Sequence, residues 1–123
     1  MRIINQTKNT LIAERAQLAD TIVSRLVGLL NRGSLSPEEG LVITECRQIH
    51  MLFMRFAIDV IFVNKDNKVL GLVKNIKPFQ ISPYFFRAKK AIELPVGVIV
   101  SSRTEKGDTL LLEEENPNPK GGC

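Results

Sequence analysis

Short runs of hydrophobic residues, separated by polar stretches, recur along most of the chain, and this spacing is typical of β-strands. Residues 2–6 and 10–14 are the first two runs, and the polar stretch Thr7-Lys8-Asn9 between them suits a turn. The chain is therefore predicted to open with a β-hairpin.

One segment has the period of an α-helix instead. Its hydrophobic residues are Ile22, Leu26, Leu29 and Leu30, all on one helical face. Asp20 or Thr21 can cap the first turn, and Gly33 can follow the last. We predict one amphipathic helix over Asp20–Asn31.

The most hydrophobic part of the chain is Cys46–Val63. Within it, Ala57–Val63 is apolar apart from Asp59, as expected of a strand that is covered on both faces. A turn over Asn64–Asn67 and a returning strand over Lys68–Lys74 complete a second predicted hairpin.

The remaining elements are short. They are a capped single turn at Ser36–Gly40, strands at Leu41–Thr44, Arg87–Leu94 and Thr109–Glu113, and a loop at Pro78–Pro83. Val96–Ser102 is ambiguous, because its β-branched residues favour a strand whereas Pro95 also suits a helix start. Together these elements predict an α+β fold that is mainly β: a compact barrel-like or folded mixed sheet with one main N-terminal helix.

Composition limits the number of domains and the class of partner. The 123 residues suffice for one domain, predicted over residues 1–113, followed by a disordered Pro/Gly/Asn-rich tail at 114–123. The net charge of +4 comes from scattered Lys and Arg, so no nucleic-acid partner is expected. There is no hydrophobic stretch of membrane-spanning length and no signal peptide, which predicts a cytoplasmic protein without a membrane partner. The oligomeric state stays open.

Two charged residues, Arg55 and Asp59, lie inside the hydrophobic segment. Strand alternation places Asp59 on the face of Ile61 and Val63, pointing into a second packed layer or a cleft. A buried charge needs a partner. We therefore expect either an Arg55–Asp59 salt bridge or a pocket in which Arg55 holds an anion and Asp59 orients it.

Cys46 and His50 are candidate catalytic residues. They are four positions apart and can touch only in a helical or turn-like conformation, because on a strand they would be roughly 13 Å apart. In contact they would form an activated thiol; otherwise they are a small buried Cys and a hydrogen-bonded core His. Met51 and Met54 would complete a soft-metal site, but both fit the hydrophobic run equally well, and we expect no metal and no cofactor.

Several motifs along the chain together resemble one protein family. They are Arg25-Leu26-Val27-Gly28-Leu29-Leu30, Glu39-Gly40-Leu41, Cys46-x-x-Ile49-His50-Met51-x-Phe53-Met54-Arg55-Phe56-x-Ile58-Asp59-Val60-x-Phe62, Glu93-Leu94-Pro95-x-Gly97 and Lys106-x-Asp108. In order and spacing these motifs resemble domain-of-unknown-function family 192, also called uncharacterised protein family 0127.

The resemblance runs from about Asn5 to Glu113 and implies a compact, strand-rich single domain with a helix near its start. It implies no activity. The chain departs from the family pattern at Met51, where Thr is common, and at Ala57, where Pro is common.

Three functions remain as hypotheses. The first is a binding module with a polar pocket around His50, Met54, Arg55 and Asp59 for a small anionic ligand or a peptide end. The second is an enzyme with Cys46 as nucleophile and His50 as base. The third is a protein-interaction domain that uses the aromatic patch Tyr84–Phe86.

Overall fold

The computed structural model describes residues 1–19, 35–52 and 54–114. The described elements are β1 (Arg2–Asn5), β2 (Thr10–Ala13), β3 (Arg15–Ala19), β4 (Glu39–Thr44), β5 (Ile58–Val63), β6 (Val69–Ile76), β7 (Lys90–Leu94), α1 (Val98–Ser101) and β8 (Leu110–Glu113). The helix predicted over Asp20–Asn31 and the tail after residue 114 lie outside these residues.

The described strands form two sheets. One has the order β2-β1-β8 and is antiparallel; the other has the order β3-β4-β7-β5-β6, with β3 parallel to β4 and the other pairs antiparallel. The mainly-β class is confirmed, as are the two hairpins. Of the two expected forms, a barrel-like or a folded mixed sheet, the barrel is wrong for the described part of the chain, since these strands pair as two separate sheets; the five-stranded sheet is mixed, as expected.

Two segments differ in detail from the prediction. Ser36–Gly40 keeps the contact expected of a capping box, because the Ser36 N–H donates to Oε1 of Glu39 at 2.8 Å. The predicted single turn is closed by the Glu39 N–H, which donates to the Ser36 carbonyl at 3.0 Å, and it does not continue as a helix, since Glu39 and Gly40 already pair with β3 as the start of β4. The ambiguous Val96–Ser102 segment contains helix α1. The helix begins after Gly97, whose φ is 100°.

The five-stranded sheet has a hydrophobic core on each face. Strand β5 is buried along its whole length and contributes Ile58, Val60 and Phe62 to one core and Ile61 and Val63 to the other. The first core is completed by residues between β4 and β5, including Ile49, Met51 and Met54. The second core is covered by the three-stranded sheet and by Ile99 of α1.

The carboxylate of Asp59 is buried beside the second core, on the strand face that the sequence predicts. Its side chain is 1% exposed. Oδ1 accepts the backbone N–H of Asn75 at 2.9 Å, and Oδ2 accepts those of Gly97 and Ile99, both at 3.0 Å. Three backbone amides therefore balance the charge, and they connect β5 to β6 and to the start of α1.

The backbone around Asp59 is shaped to bring these amides together. In β6 the register shifts so that Ile58 pairs with Ile76 but Val60 pairs with Val73, and the bulge between them includes Asn75, at φ of 54°. Gly97 has φ of 100°, where a residue with a Cβ would be strained.

A second buried polar cluster connects the first hairpin to the segment before β8. The Asn5 amide donates to Thr104 Oγ1 at 3.1 Å and to Asp108 Oδ2 at 2.9 Å. Lys8 Nζ lies 2.8 Å from both Glu105 and Asp108. Burial raises the pKa of the Asp108 carboxyl, but hydrogen bonds from Asn5, Lys8 and the Glu105 N–H outweigh burial and hold that pKa below its ordinary value.

The Asp59 contacts predict a large stability effect. In Asp59→Ala, three backbone N–H groups lose their acceptor inside the protein, and we expect the free energy of unfolding to fall by about 3 kcal/mol or more. Asp59→Asn keeps one carbonyl oxygen as an acceptor, so its free energy of unfolding should fall by less than that of Asp59→Ala. Urea unfolding followed by circular dichroism measures both, with exposed Asp66→Ala as the control. An Asp59→Ala protein as stable as the control would contradict the structural role.

The Asp108 contacts predict a pH dependence. Because its folded-state pKa is lowered, the stabilisation is present above the unfolded value of 3.8 and is lost as the pH falls from there through the lower folded value. In Asp108→Asn the loss of stability over this range should be shallower. Urea unfolding at a series of pH values tests this against Asp66→Asn, and an unchanged slope in Asp108→Asn would contradict it.

Candidate functional site

The structure separates the charged residues that the sequence groups into one pocket. Asp59 is buried with both carboxylate oxygens hydrogen-bonded to backbone amides, whereas Arg55 is exposed. Among the described residues no ion pair joins Arg55 to Asp59, so the predicted salt bridge is wrong. The reason is local: Asp59 already lies in β5 facing the second core, while Arg55 precedes the strand on the surface.

His50, Met51 and Met54 also point in different directions. His50 is exposed in an extended segment that bridges to Ile81, while Met51 and Met54 are buried in the first core. The methionines are therefore packing residues. No group of three His, Cys, Asp or Glu side chains in residues 1–19, 35–52 and 54–114 is arranged to hold a metal.

The Cys46 thiol is partly buried and donates to the Gln48 carbonyl at 3.4 Å. The structure thus shows the thiol bonded to a backbone carbonyl and the His50 side chain exposed, whereas the enzyme hypothesis needs a contact between Sγ and the His50 ring.

A cleft lies elsewhere, between the β5–β6 turn and the segment that precedes β7. Its volume is about 510 Å³, and it is lined by Arg47, Asn64, Lys65, Tyr84, Phe86, Arg87 and Lys89. We call it the basic cleft. Pockets of this size bind small molecules in many proteins.

Phe85 fixes one wall of the basic cleft. Its ring stacks on Phe62 of β5, with centroids 4.4 Å apart, and it lies so close to Gly71 of β6 that an added Cβ would come within 2.0 Å of the ring. The Phe85 N–H donates to the Arg47 carbonyl at 2.8 Å. With Phe85 anchored inward, its neighbours Tyr84 and Phe86 are held outward, 60% and 77% exposed.

The polar lining of the basic cleft is rich in donors. Arg47 uses Nε to bond the Phe86 carbonyl at 3.1 Å, which leaves its terminal nitrogens available. Asn64 Oδ1 accepts the N–H groups of Asp66 and Lys68, so its amide NH₂ group remains a donor. The described lining residues include no Asp or Glu. Glu45, which is not among the lining residues, lies 3.8 Å from Lys89 in an exposed pair that neutralises little.

The aromatic patch is apparent in the sequence. The clustering of the cations is not, because these residues are far apart in the chain. Arg47 follows β4, Lys65 follows β5, and Lys89 precedes β7. Since β7 pairs antiparallel with both β4 and β5, these three ends meet at one edge of the sheet. Arg47 and Lys65, which follow predicted strand ends, were the available signal, whereas Arg87 and Lys89 fall inside the predicted strand Arg87–Leu94, which the structure begins only at Lys90.

No helix in the described segments is long and apolar enough to cross a membrane. Localisation therefore stays a prediction.

Comparison with solved structures supports the fold. The chain is similar to a protein of unknown function from Novosphingobium aromaticivorans, with a TM-score of 0.77 at 22% identity, covering 91% of this chain and 84% of that one. It is also similar to a putative transcription regulator from Sinorhizobium meliloti, with a TM-score of 0.72 at 22% identity, covering 89% of each chain.

Sequence comparison gives the family. The model of DUF192, described as "Uncharacterized ACR, COG1430", matches residues 3–112. A UPF0127 protein of Thermococcus sibiricus is 35% identical, covering 92% of this chain and 75% of that protein; one of Pyrococcus furiosus is also 35% identical, covering 88% and 95%. With the family model matching almost the whole chain, the protein belongs to the DUF192 family.

Proposed function

We propose that this protein is a binding module that holds a small anionic ligand in the basic cleft. The observation that carries the proposal is the convergence of Arg47, Lys65, Arg87 and Lys89 on one cleft whose described lining has no carboxylate. Like charges brought together repel, and a bound anion relieves that repulsion. The sequence predicts an anionic ligand too, but around different residues.

The geometry favours a ligand that fills a cleft over a flat protein partner on the aromatic patch. Tyr84 and Phe86 line the same cavity as the cations, so an occupant of the cleft would contact both kinds of residue. The carboxylate end of a peptide is one anion of suitable size, and a phosphate compound is another. Both need the donors that Arg47 and Asn64 leave unused.

Charge removal tests the location of the site. We expect the double variant Lys65→Gln/Arg87→Gln to bind pyrophosphate about tenfold more weakly or worse, because two exposed cations near the anion are lost. Titration calorimetry at low ionic strength measures the affinity, which should also fall as salt is added.

Two matched variants complete this experiment. Lys77→Gln removes an exposed cation outside the basic cleft and should leave binding unchanged. Arg55→Gln removes the cation that the sequence favoured. A loss confined to Arg55→Gln would move the site to that residue, and absence of pyrophosphate binding by the unaltered protein would contradict the proposal.

The enzyme alternative predicts that His50 activates Cys46, and the structure motivates the opposite expectation. In a Cys123→Ser background, which leaves one thiol, His50→Ala should change the rate of Cys46 alkylation by iodoacetamide by less than about twofold at any pH. The rate is followed by mass spectrometry. A drop of about tenfold at neutral pH would restore the Cys46–His50 pair as a catalytic candidate.

A further inference from the structure

We infer that the anion in the basic cleft is a nucleotide: a phosphate ester whose planar base packs on Tyr84 and Phe86. This inference rests on the proposed function. It adds the uncharged part of the ligand, which is the base. Cations alone would explain phosphate binding. They would not explain two large aromatic rings exposed on the same cleft.

We call the exposed rings of Tyr84 and Phe86 the platform. Tyr84 and Phe86 occupy alternate positions on either side of the inward-facing Phe85, and therefore project outward from the same short segment. Their exposed faces are an unsatisfied apolar surface in the free protein. A base that stacks on them removes that surface from water, and stacking does not require a particular base.

This platform is held in place before any ligand binds. The Phe85 ring is fixed by Phe62 and Gly71, and the segment bonds to Arg47 twice, through the Phe85 N–H and the Phe86 carbonyl. The backbone that carries both rings therefore needs little ordering on binding. The same bonds place the Arg47 guanidinium beside the platform, where its terminal nitrogens can bond a phosphate attached to the stacked nucleoside.

The size of the cleft and its remaining donors fit this ligand. A volume of about 510 Å³ is far larger than a single phosphate needs, so a simple inorganic anion would leave most of it filled with water. Asn64 offers an amide NH₂ group, and nucleotide bases carry carbonyl or ring-nitrogen acceptors on their edges. Lys65 and Arg87 are left to bind the phosphates.

The decisive experiment compares ligands with and without a base. Titration calorimetry is run with ADP, GDP, CDP and UDP, and with pyrophosphate, which carries the diphosphate alone. We expect at least one nucleoside diphosphate to bind about tenfold more tightly than pyrophosphate. Equal affinities for all five would overturn the nucleotide inference and leave the anion-binding function standing. No binding of any of them would overturn both.

Variants then test whether stacking causes the preference. Phe86→Leu and Tyr84→Leu keep an apolar side chain but remove the flat ring, so each should weaken nucleotide binding by a larger factor than pyrophosphate binding and thereby reduce the nucleotide advantage. Phe86→Tyr should retain the advantage. Phe79→Leu is the matched control, since Phe79 is 76% exposed and does not line the basic cleft. An advantage that survives in the Tyr84→Leu/Phe86→Leu double variant would overturn the platform.

A single-stranded oligonucleotide distinguishes a free nucleotide from a nucleotide within a polymer. We expect the cleft to hold one nucleotide at a time. A ten-residue oligonucleotide offers ten nucleotides to that single cleft, so its affinity should exceed that of the best mononucleotide by at most about tenfold. Much tighter binding with a steeper loss on adding salt would instead identify nucleic acid as the ligand and overturn the inference of a free nucleotide.

Discussion

The carboxylate of Asp59 is the constraint on which the arrangement of this domain depends. A negative charge that is 1% exposed in a mainly hydrophobic strand would be costly without partners. Backbone N–H groups of Asn75, Gly97 and Ile99 supply them, from two segments far apart in the chain. The three bonds fix the positions of the β6 bulge and of the start of α1 relative to β5.

The same strand also determines the basic cleft. Alternate residues of β5 face opposite cores, so Asp59 faces α1 while Phe62 faces the other side and stacks on Phe85. Gly71 on the neighbouring strand leaves the space that the Phe85 ring occupies. The exposed aromatic platform is therefore supported by the rigid centre of the sheet, although it lies in an irregular segment.

Local patterns in the sequence predicted the described strands except β3 (Arg15–Ala19), which pairs parallel with β4. The two hairpins, the fully buried β5 and even the face on which Asp59 lies follow from polar turns and strand alternation, which depend on neighbouring residues only. The segment after Pro95 could not be assigned, because its helix depends on Gly97 and on the distant Asp59. The pairing of strands into two sheets likewise depends on contacts that no local pattern reports.

Arg55 is not the partner of Asp59, for a physical reason. A charged residue in a hydrophobic run needs a partner, and Arg55 is the oppositely charged residue nearest to Asp59 in the sequence. Backbone amides are also partners for a carboxylate, and the fold fixes their directions without any loss of side-chain entropy. Because backbone amides already bond both oxygens of Asp59, the Arg55 guanidinium is not needed as its partner and stays exposed.

This division of roles also explains why the proposed site lies among ordinary surface residues. The buried carboxylates of Asp59 and Asp108 are both hydrogen-bonded within the domain, so their charges hold segments together and are not open to a ligand. The cations of the basic cleft are exposed or half-buried. The strand ends bring them together beside Tyr84 and Phe86. For a binding module, groups that the fold leaves unsatisfied are better indicators of the site than groups that the fold has buried.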